Sequence, residues 1–134
     1  METVTTNLGR LAGRKMDGYT VFYGVPYAKA PVGPLRFCPP QPALAYAGVR
    51  DACRIPNRPW QPQSTTETPS GKEFCFAPEY LTPMDEDSLQ LHIWTPAAGP
   101  DERLPVAFWI HGGAFVKGFG AEVAYDGEVF CRQG

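Results

Sequence analysis

The chain carries little excess charge of either sign: 12 Lys and Arg against 14 Asp and Glu give a formal net charge of −2. With the two signs mixed along the sequence, there is no basic footprint for nucleic acid or for an anionic lipid surface. No run approaches the ~20 consecutive apolar residues that cross a membrane. The opening residues, Met1-Glu2-Thr3-Val4-Thr5-Thr6, lack a basic stretch followed by an apolar one, so no signal peptide is visible. The four cysteines, Cys38, Cys53, Cys75 and Cys131, stand too far apart for a zinc knuckle or a redox pair. They are expected as reduced thiols; Cys53 and Cys75 are free to pair, but nothing favours it. Histidine is limited to His92 and His111, and serine to Ser64, Ser70 and Ser88. None of the serines lies between spaced glycines. No metal and no cofactor is expected.

At 134 residues the chain amounts to one ordinary domain at most, long enough to bury a core. Proline and glycine are abundant: 15 Pro and 14 Gly without a repeating period point to long irregular loops. Aromatic residues reach 13%, which argues against plain disorder. A loop-rich piece of a larger folded body fits both observations. There are no repeats and no linker dividing two domains.

Val4, Leu8 and Leu11 precede a turn signal at Met16-Asp17-Gly18, and Tyr19-Thr20-Val21-Phe22-Tyr23 is rich in β-formers. This predicts a hairpin over residues 8–15 and 19–23, with Asp17-Gly18 supplying the positive φ of a tight turn. Residues 24–48 read as loop, because Pro26, Pro31, Pro34, Pro39, Pro40 and Pro42 each remove a donor and fix φ. Residues 54–83 read as irregular, with Ser64-Thr65-Thr66-Glu67-Thr68 as a mobile tip. Loops of that length are normally functional or pinned by neighbours. Leu89, Leu91 and Ile93 alternate with Gln90, His92 and Trp94, which is strand periodicity ended by Thr95-Pro96. Leu104 to Ile110 is a continuous apolar run of the kind buried on both faces of a sheet. Asp126 is a candidate N-cap for a short helix to Gln133, with Gly134 just past its end.

Val106-Ala107-Phe108 leads into Trp109-Ile110-His111-Gly112-Gly113-Ala114-Phe115, with Gly118 and Gly120 behind. An apolar strand that stops at two glycines leaves backbone N–H groups bare in a loop. Bare N–H groups at a strand end are what acyl-transfer chemistry uses to hold a negatively charged oxygen. Gly112 and Gly113 let the backbone approach a substrate closely, and small Ala114 extends the patch. Taken alone, a Gly-Gly pair after a strand is more often a plain tight turn.

Three separate stretches, this one the last of them, stand in order along the chain. The first is Phe22-Tyr23-Gly24-Val25-Pro26-Tyr27-Ala28, followed by Pro31-Val32-Gly33 and Leu35-Arg36-Phe37. The second is Glu86-Asp87-Ser88-Leu89-Gln90-Leu91-His92-Ile93-Trp94-Thr95-Pro96, and the third is Pro105 to Phe115, with Tyr125-Asp126-Gly127 after it. In this order they resemble the carboxylesterase type B family of α/β-hydrolases, which includes cholinesterases, liver carboxylesterases and bacterial para-nitrobenzyl esterases. The resemblance spans nearly the whole chain. It implies an α/β fold, the N-terminal part of an α/β-hydrolase: antiparallel strands leading into the central sheet, with long proline-rich loops, over a partial domain of residues 1–134.

The same resemblance assigns roles. The N–H groups of Gly113 and Ala114 are the implied oxyanion donors, with a third donor from the residue after the nucleophile, while Gly112 shapes the turn. His111 is implied to frame the loop and not to act as the catalytic base, and His92, where the family commonly has Asn, is read as structural. Arg36 is implied to pair with Glu86, a guanidinium gripping a carboxylate and pinning a proline-rich loop onto the sheet. Ser88 stands where cross-linked family members have a cysteine, and Trp60 stands near the position of its partner. That departure suits a reducing compartment, and a cytoplasmic location is expected.

Catalysis in the family needs a serine at a Gly-x-Ser-x-Gly elbow, an acid and a histidine, all later in the chain. The expectation is therefore a chain truncated before the nucleophile elbow. It would be the N-terminal portion of a serine carboxylic ester hydrolase acting on small-molecule esters, inactive alone and completed by the missing C-terminal part. No nucleic-acid or membrane partner is expected. The alternative is a non-catalytic, cholinesterase-like binding module. An apolar Val106–Ile110 strand without its neighbour is expected to be an aggregation-prone edge.

Overall fold

The computed structural model describes residues 1–62 and 81–133. The expected tip at Ser64–Thr68, and Cys75, lie outside the described residues. Among the described ones Cys38, Cys53 and Cys131 are free thiols.

Five strands form one sheet. Strand β1 (Glu2–Thr6) pairs antiparallel with β2 (Gly9–Lys15), Glu2 opposite Gly13 and Thr6 opposite Gly9. Thr6 closes the connection: its hydroxyl accepts the Leu8 N–H at 3.2 Å and donates to the Gly9 carbonyl at 2.8 Å. The sequence pattern does not mark β1, because Val4 is its one aliphatic residue and it lies exposed at an edge. Its threonines supply β-propensity without a buried face. The predicted hairpin follows, with β3 (Thr20–Pro26) antiparallel to the end of β2, Arg14 opposite Val21. The Met16 N–H donates to the Tyr19 carbonyl at 2.8 Å, and Gly18, at φ 82°, takes the left-handed position of the turn.

Along its first half β2 has a second neighbour, β4 (Val49–Ala52), which runs parallel to it with Leu11 opposite Arg50. On its far side β3 pairs antiparallel with β5 (Gln90–Thr95). This makes β3, like β2, an interior strand, buried from Thr20 through Gly24. On one face Phe22 packs with Leu11 and Ala52. On the other, Tyr19, Val21 and Tyr23 pack with Trp94 and with Cys131 of the short helix α1 (Glu128–Gln133). Fully burying a side chain of the size of Leu11, Val21 or Phe22 contributes about 1.5–3 kcal/mol.

Helix α1 ends where expected and begins two residues after Asp126, whose carboxylate accepts the Glu128 N–H at 2.8 Å. Glu128 accepts from Arg132 at 2.7 Å and from the Tyr19 hydroxyl at 3.2 Å, which seats the helix on the Tyr19 face. Burial and the facing carboxylates of Glu128 and Asp126 raise the Tyr19 pKa.

Leu104–Ile110 departs from its expected burial. No ladder includes it among the described residues, and Val106, Phe108 and Ile110 are 90%, 78% and 78% exposed. A strand buried on both faces needs a neighbour on each side, and here β5 spends its pairing on β3 alone. An extended apolar segment without a partner is a pairing hazard.

Strand β3 carries one residue too many for β5. Phe22 faces Ile93 and Val25 faces Leu91, so Tyr23 and Gly24 bulge opposite His92. Gly24 sits at φ 67°, and its N–H, lost from the ladder, donates to His92 Nδ1 at 3.1 Å. That bond requires a neutral imidazole protonated on Nε2. Burial holds the His92 pKa at about 4, below its ordinary 6.5. Between these values the unfolded chain binds the proton and the folded one does not. The stabilisation is therefore complete above pH 6.5 and is lost as pH falls toward 4. Urea melts should show the chain weakening over that window by on the order of 2–3 kcal/mol more than a His92→Asn variant. At pH 7 that variant, whose amide oxygen can accept the same N–H, should stay within about 1 kcal/mol of the parent, whereas His92→Leu should lose about 1–3 kcal/mol.

Candidate functional site

Residues 111–118 form a left-handed turn. The Gly113 carbonyl accepts the N–H groups of Val116 at 3.0 Å and Lys117 at 3.1 Å. Between them Ala114 and Phe115 take φ of 54° and 59°, and Gly113 takes 126°. Left-handed backbone at two consecutive non-glycine residues is strained and persists where the surroundings over-determine it. At Gly113 the turn admits no side chain, because a Cβ there would collide with the Lys117 carbonyl oxygen. Among the described residues no acceptor meets the N–H of Gly113 or Ala114.

Gly112 has open space where a side chain would be, and φ is unremarkable there. The constraint on the turn falls on Gly113 and Gly118. His111 donates from Nδ1 to the Gly112 carbonyl at 2.8 Å and stacks on Tyr125, ring centroids 6.3 Å apart. Trp109 meets the same tyrosine at 5.8 Å. One aromatic ring thus braces the entry to the turn.

The exit is gripped at three points. The Gln61 side-chain amide accepts the Gly118 N–H at 2.7 Å and donates to the Gly118 carbonyl at 3.3 Å. The Arg58 guanidinium lies 5.9 Å from the Phe119 ring centroid. Glu122 accepts the Phe119 N–H at 3.2 Å. Beyond these, Gly120 lies against His92 and Gly127 against Trp94, where a Cβ would come within 3.1 Å and 2.8 Å of the rings. The segment after the turn therefore returns onto β5.

Gln61, Arg58 and Tyr125 escape sequence reasoning in these roles. Gln61 lies in an irregular stretch between Pro59 and Pro62, 57 residues from Gly118, with no periodicity to mark it.

Arg36 forms an ion pair through Nε with Glu86 and lies 5.1 Å from the Phe37 ring centroid. It ties the single-turn 3-10 helix at Gly33–Leu35 to the segment entering β5, well away in sequence from the turn. Its side chain is 59% exposed, so the pair contributes at most about 1 kcal/mol. Among the described residues no group of three His, Cys, Asp or Glu side chains could hold a metal ion.

The family model described as "Carboxylesterase family" matches residues 1–134. Human cocaine esterase is 39% identical over 137 residues, covering 95% of this chain and 23% of that protein. The para-nitrobenzyl esterase of Bacillus subtilis (strain 168) is 36% identical over 138 residues, covering 99% and 25%. The crystal structure of a Geobacillus stearothermophilus carboxylesterase at pH 6.2 superposes with a TM-score of 0.79 at 43% identity, over 98% of this chain and 24% of that one. The chain spans about a quarter of the length of the curated relatives it matches. Its strands and proline-rich loops are the N-terminal part of an α/β-hydrolase fold, and the chain belongs to the carboxylesterase family.

Proposed function

We propose that this chain supplies the oxyanion-stabilising loop of a serine carboxylic ester hydrolase. The observation that carries the reading is the pair of unaccepted N–H groups at Gly113 and Ala114, held on a strained turn. In the working enzyme a serine outside this chain attacks the carbonyl carbon of a small-molecule ester. The carbonyl oxygen gains negative charge and is met by these two N–H groups, with a third from the residue after the serine. The alcohol leaves, and water then releases the acid from the acyl-enzyme. Each donor is worth about 3–4 kcal/mol in the transition state. Donors fixed before reaction need no reorganisation as charge develops, which is the use of a rigid turn.

The chain alone is proposed to be inactive. None of its three serines lies in a Gly-x-Ser-x-Gly elbow. His92 is half-buried with Nδ1 committed to Gly24, and His111 Nδ1 is committed to Gly112. The exposed apolar stretch Val106, Phe108, Trp109 and Ile110 supports burial against the remaining part of such an enzyme. A cytoplasmic location belongs to the same reading, supported by Ser88 in place of a cross-linking cysteine.

A chimera tests this. Residues 1–134 replace the corresponding stretch of the Geobacillus carboxylesterase, and p-nitrophenyl acetate is the substrate. The folded chimera should hydrolyse the ester, and Gly113→Ala, whose Cβ displaces the turn, should lower kcat about 100- to 1000-fold. The 134-residue chain alone should neither hydrolyse the ester nor react with a serine-directed fluorophosphonate. Hydrolysis by the chain alone, blocked by that reagent, would overturn its inactivity. A folded, fluorophosphonate-reactive chimera indifferent to Gly113→Ala would overturn the role of the loop.

A further inference from the structure

We infer that Gln61 is the positioning residue of the oxyanion loop, a side-chain amide standing where a sheet would otherwise supply backbone bonds. The inference rests on the proposed role of Gly113 and Ala114 and adds the group that holds them in place.

Residues 111–118 belong to no ladder among the described residues. Gln61 meets both polar groups of Gly118: Oε1 accepts its N–H at 2.7 Å, and Nε2 donates to its carbonyl at 3.3 Å. The same Nε2 donates to the Pro59 carbonyl at 3.2 Å. A primary amide has two donors and an acceptor, and here each has a partner. Such a pairing resists both translation of the Gly118 peptide and rotation about its axis.

The base from which Gln61 reaches is itself fixed. Arg58 is 6% exposed, its Nε donates to the Thr82 carbonyl at 2.9 Å, and its backbone bonds to Pro83 and Asp85 at 3.0 Å each. Pro59 and Pro62 narrow the backbone freedom on either side of Gln61.

Gly118 in turn abuts the front of the loop. A Cβ on Gly118 would stand 2.6 Å from the Gly112 carbonyl oxygen and 2.9 Å from His111 Nδ1, and the Lys117 carbonyl packs on Gly113. Displacing Gly118 therefore displaces Gly112 and Gly113. The left-handed residues Ala114 and Phe115 lie between these contacts, and strain of that kind relaxes once its restraints are removed. Gln61 touches no reacting atom. It acts through Gly118, so its loss should appear in the chemical step and not in substrate binding.

The test uses Gln61→Met, which keeps the length of the side chain without its hydrogen bonds, and Gln61→Glu, which keeps an acceptor for the Gly118 N–H and loses the donor. In the full chain, exchange of the Gly118 amide proton should quicken at least about tenfold in Gln61→Met, while β3 amides keep their protection and report an intact fold. In the chimera, Gln61→Met should lower kcat about 10- to 100-fold with KM within about twofold, and Gln61→Glu should fall between it and the parent. An unchanged kcat in Gln61→Met, or a change confined to KM, overturns the inference when Gly113→Ala still collapses kcat. If Gly113→Ala is silent as well, the oxyanion reading itself has failed.

Discussion

One backbone N–H organises this molecule. Strand β3 carries an extra residue against β5, and the Gly24 N–H that falls out of the ladder is accepted by His92 Nδ1. A buried donor left unpaired would cost about 1–3 kcal/mol. Satisfying it fixes more than the bulge. It sets the imidazole edge-on to Tyr23, at 5.6 Å between centroids, with Trp94 the next ring along the same face. Gly120 lies on His92 and Gly127 on Trp94, so this aromatic row is the surface on which the chain returns after the left-handed turn. Helix α1 then closes over Tyr19 and Val21 on that face.

The turn is built differently from the sheet that supports it. Strands β1–β5 are held by repeated ladder bonds, where the loss of one is shared among many. Residues 111–119 are held by single side chains: Tyr125 at the entry, and at the exit Gln61 and Arg58 from a remote stretch together with nearby Glu122. Anchors of this sort allow a strained backbone with unaccepted N–H groups, an arrangement a ladder would eliminate by pairing them. The separation suits a loop proposed to receive a transient negative charge on a rigid frame.

The hairpin, β5 and the short helix were legible because each depends on neighbours in sequence. Gly18 makes the turn, alternation from Leu89 to Trp94 makes the strand, and Asp126 caps the helix. Strands β1 and β4 were not, since an exposed Glu-Thr-Val-Thr-Thr edge and a four-residue parallel strand become strands only through β2. The apolar run at 104–110 shows the converse. Its composition announces a buried strand, but burial requires partners, and among the described residues it has none. In the loop, the glycine pair was legible as bare backbone. The Gln61 clamp was not, because a hydrogen bond across 57 residues leaves no periodic trace.

By itself the sequence determined the family, through the ordered blocks around Phe22-Tyr23-Gly24, Glu86-Asp87-Ser88-Leu89 and His111-Gly112-Gly113-Ala114. It did so by their resemblance, in order, to the family's motifs, in which glycines stand where the backbone must turn or lie bare. Only the tertiary structure decided what those motifs serve. It showed that His92 completes a bulge, that Arg36 reaches Glu86, and that Gly118 is held from Gln61. Those contacts depend on distances between residues remote in the chain, and such distances exist only once the sheet has brought the residues together.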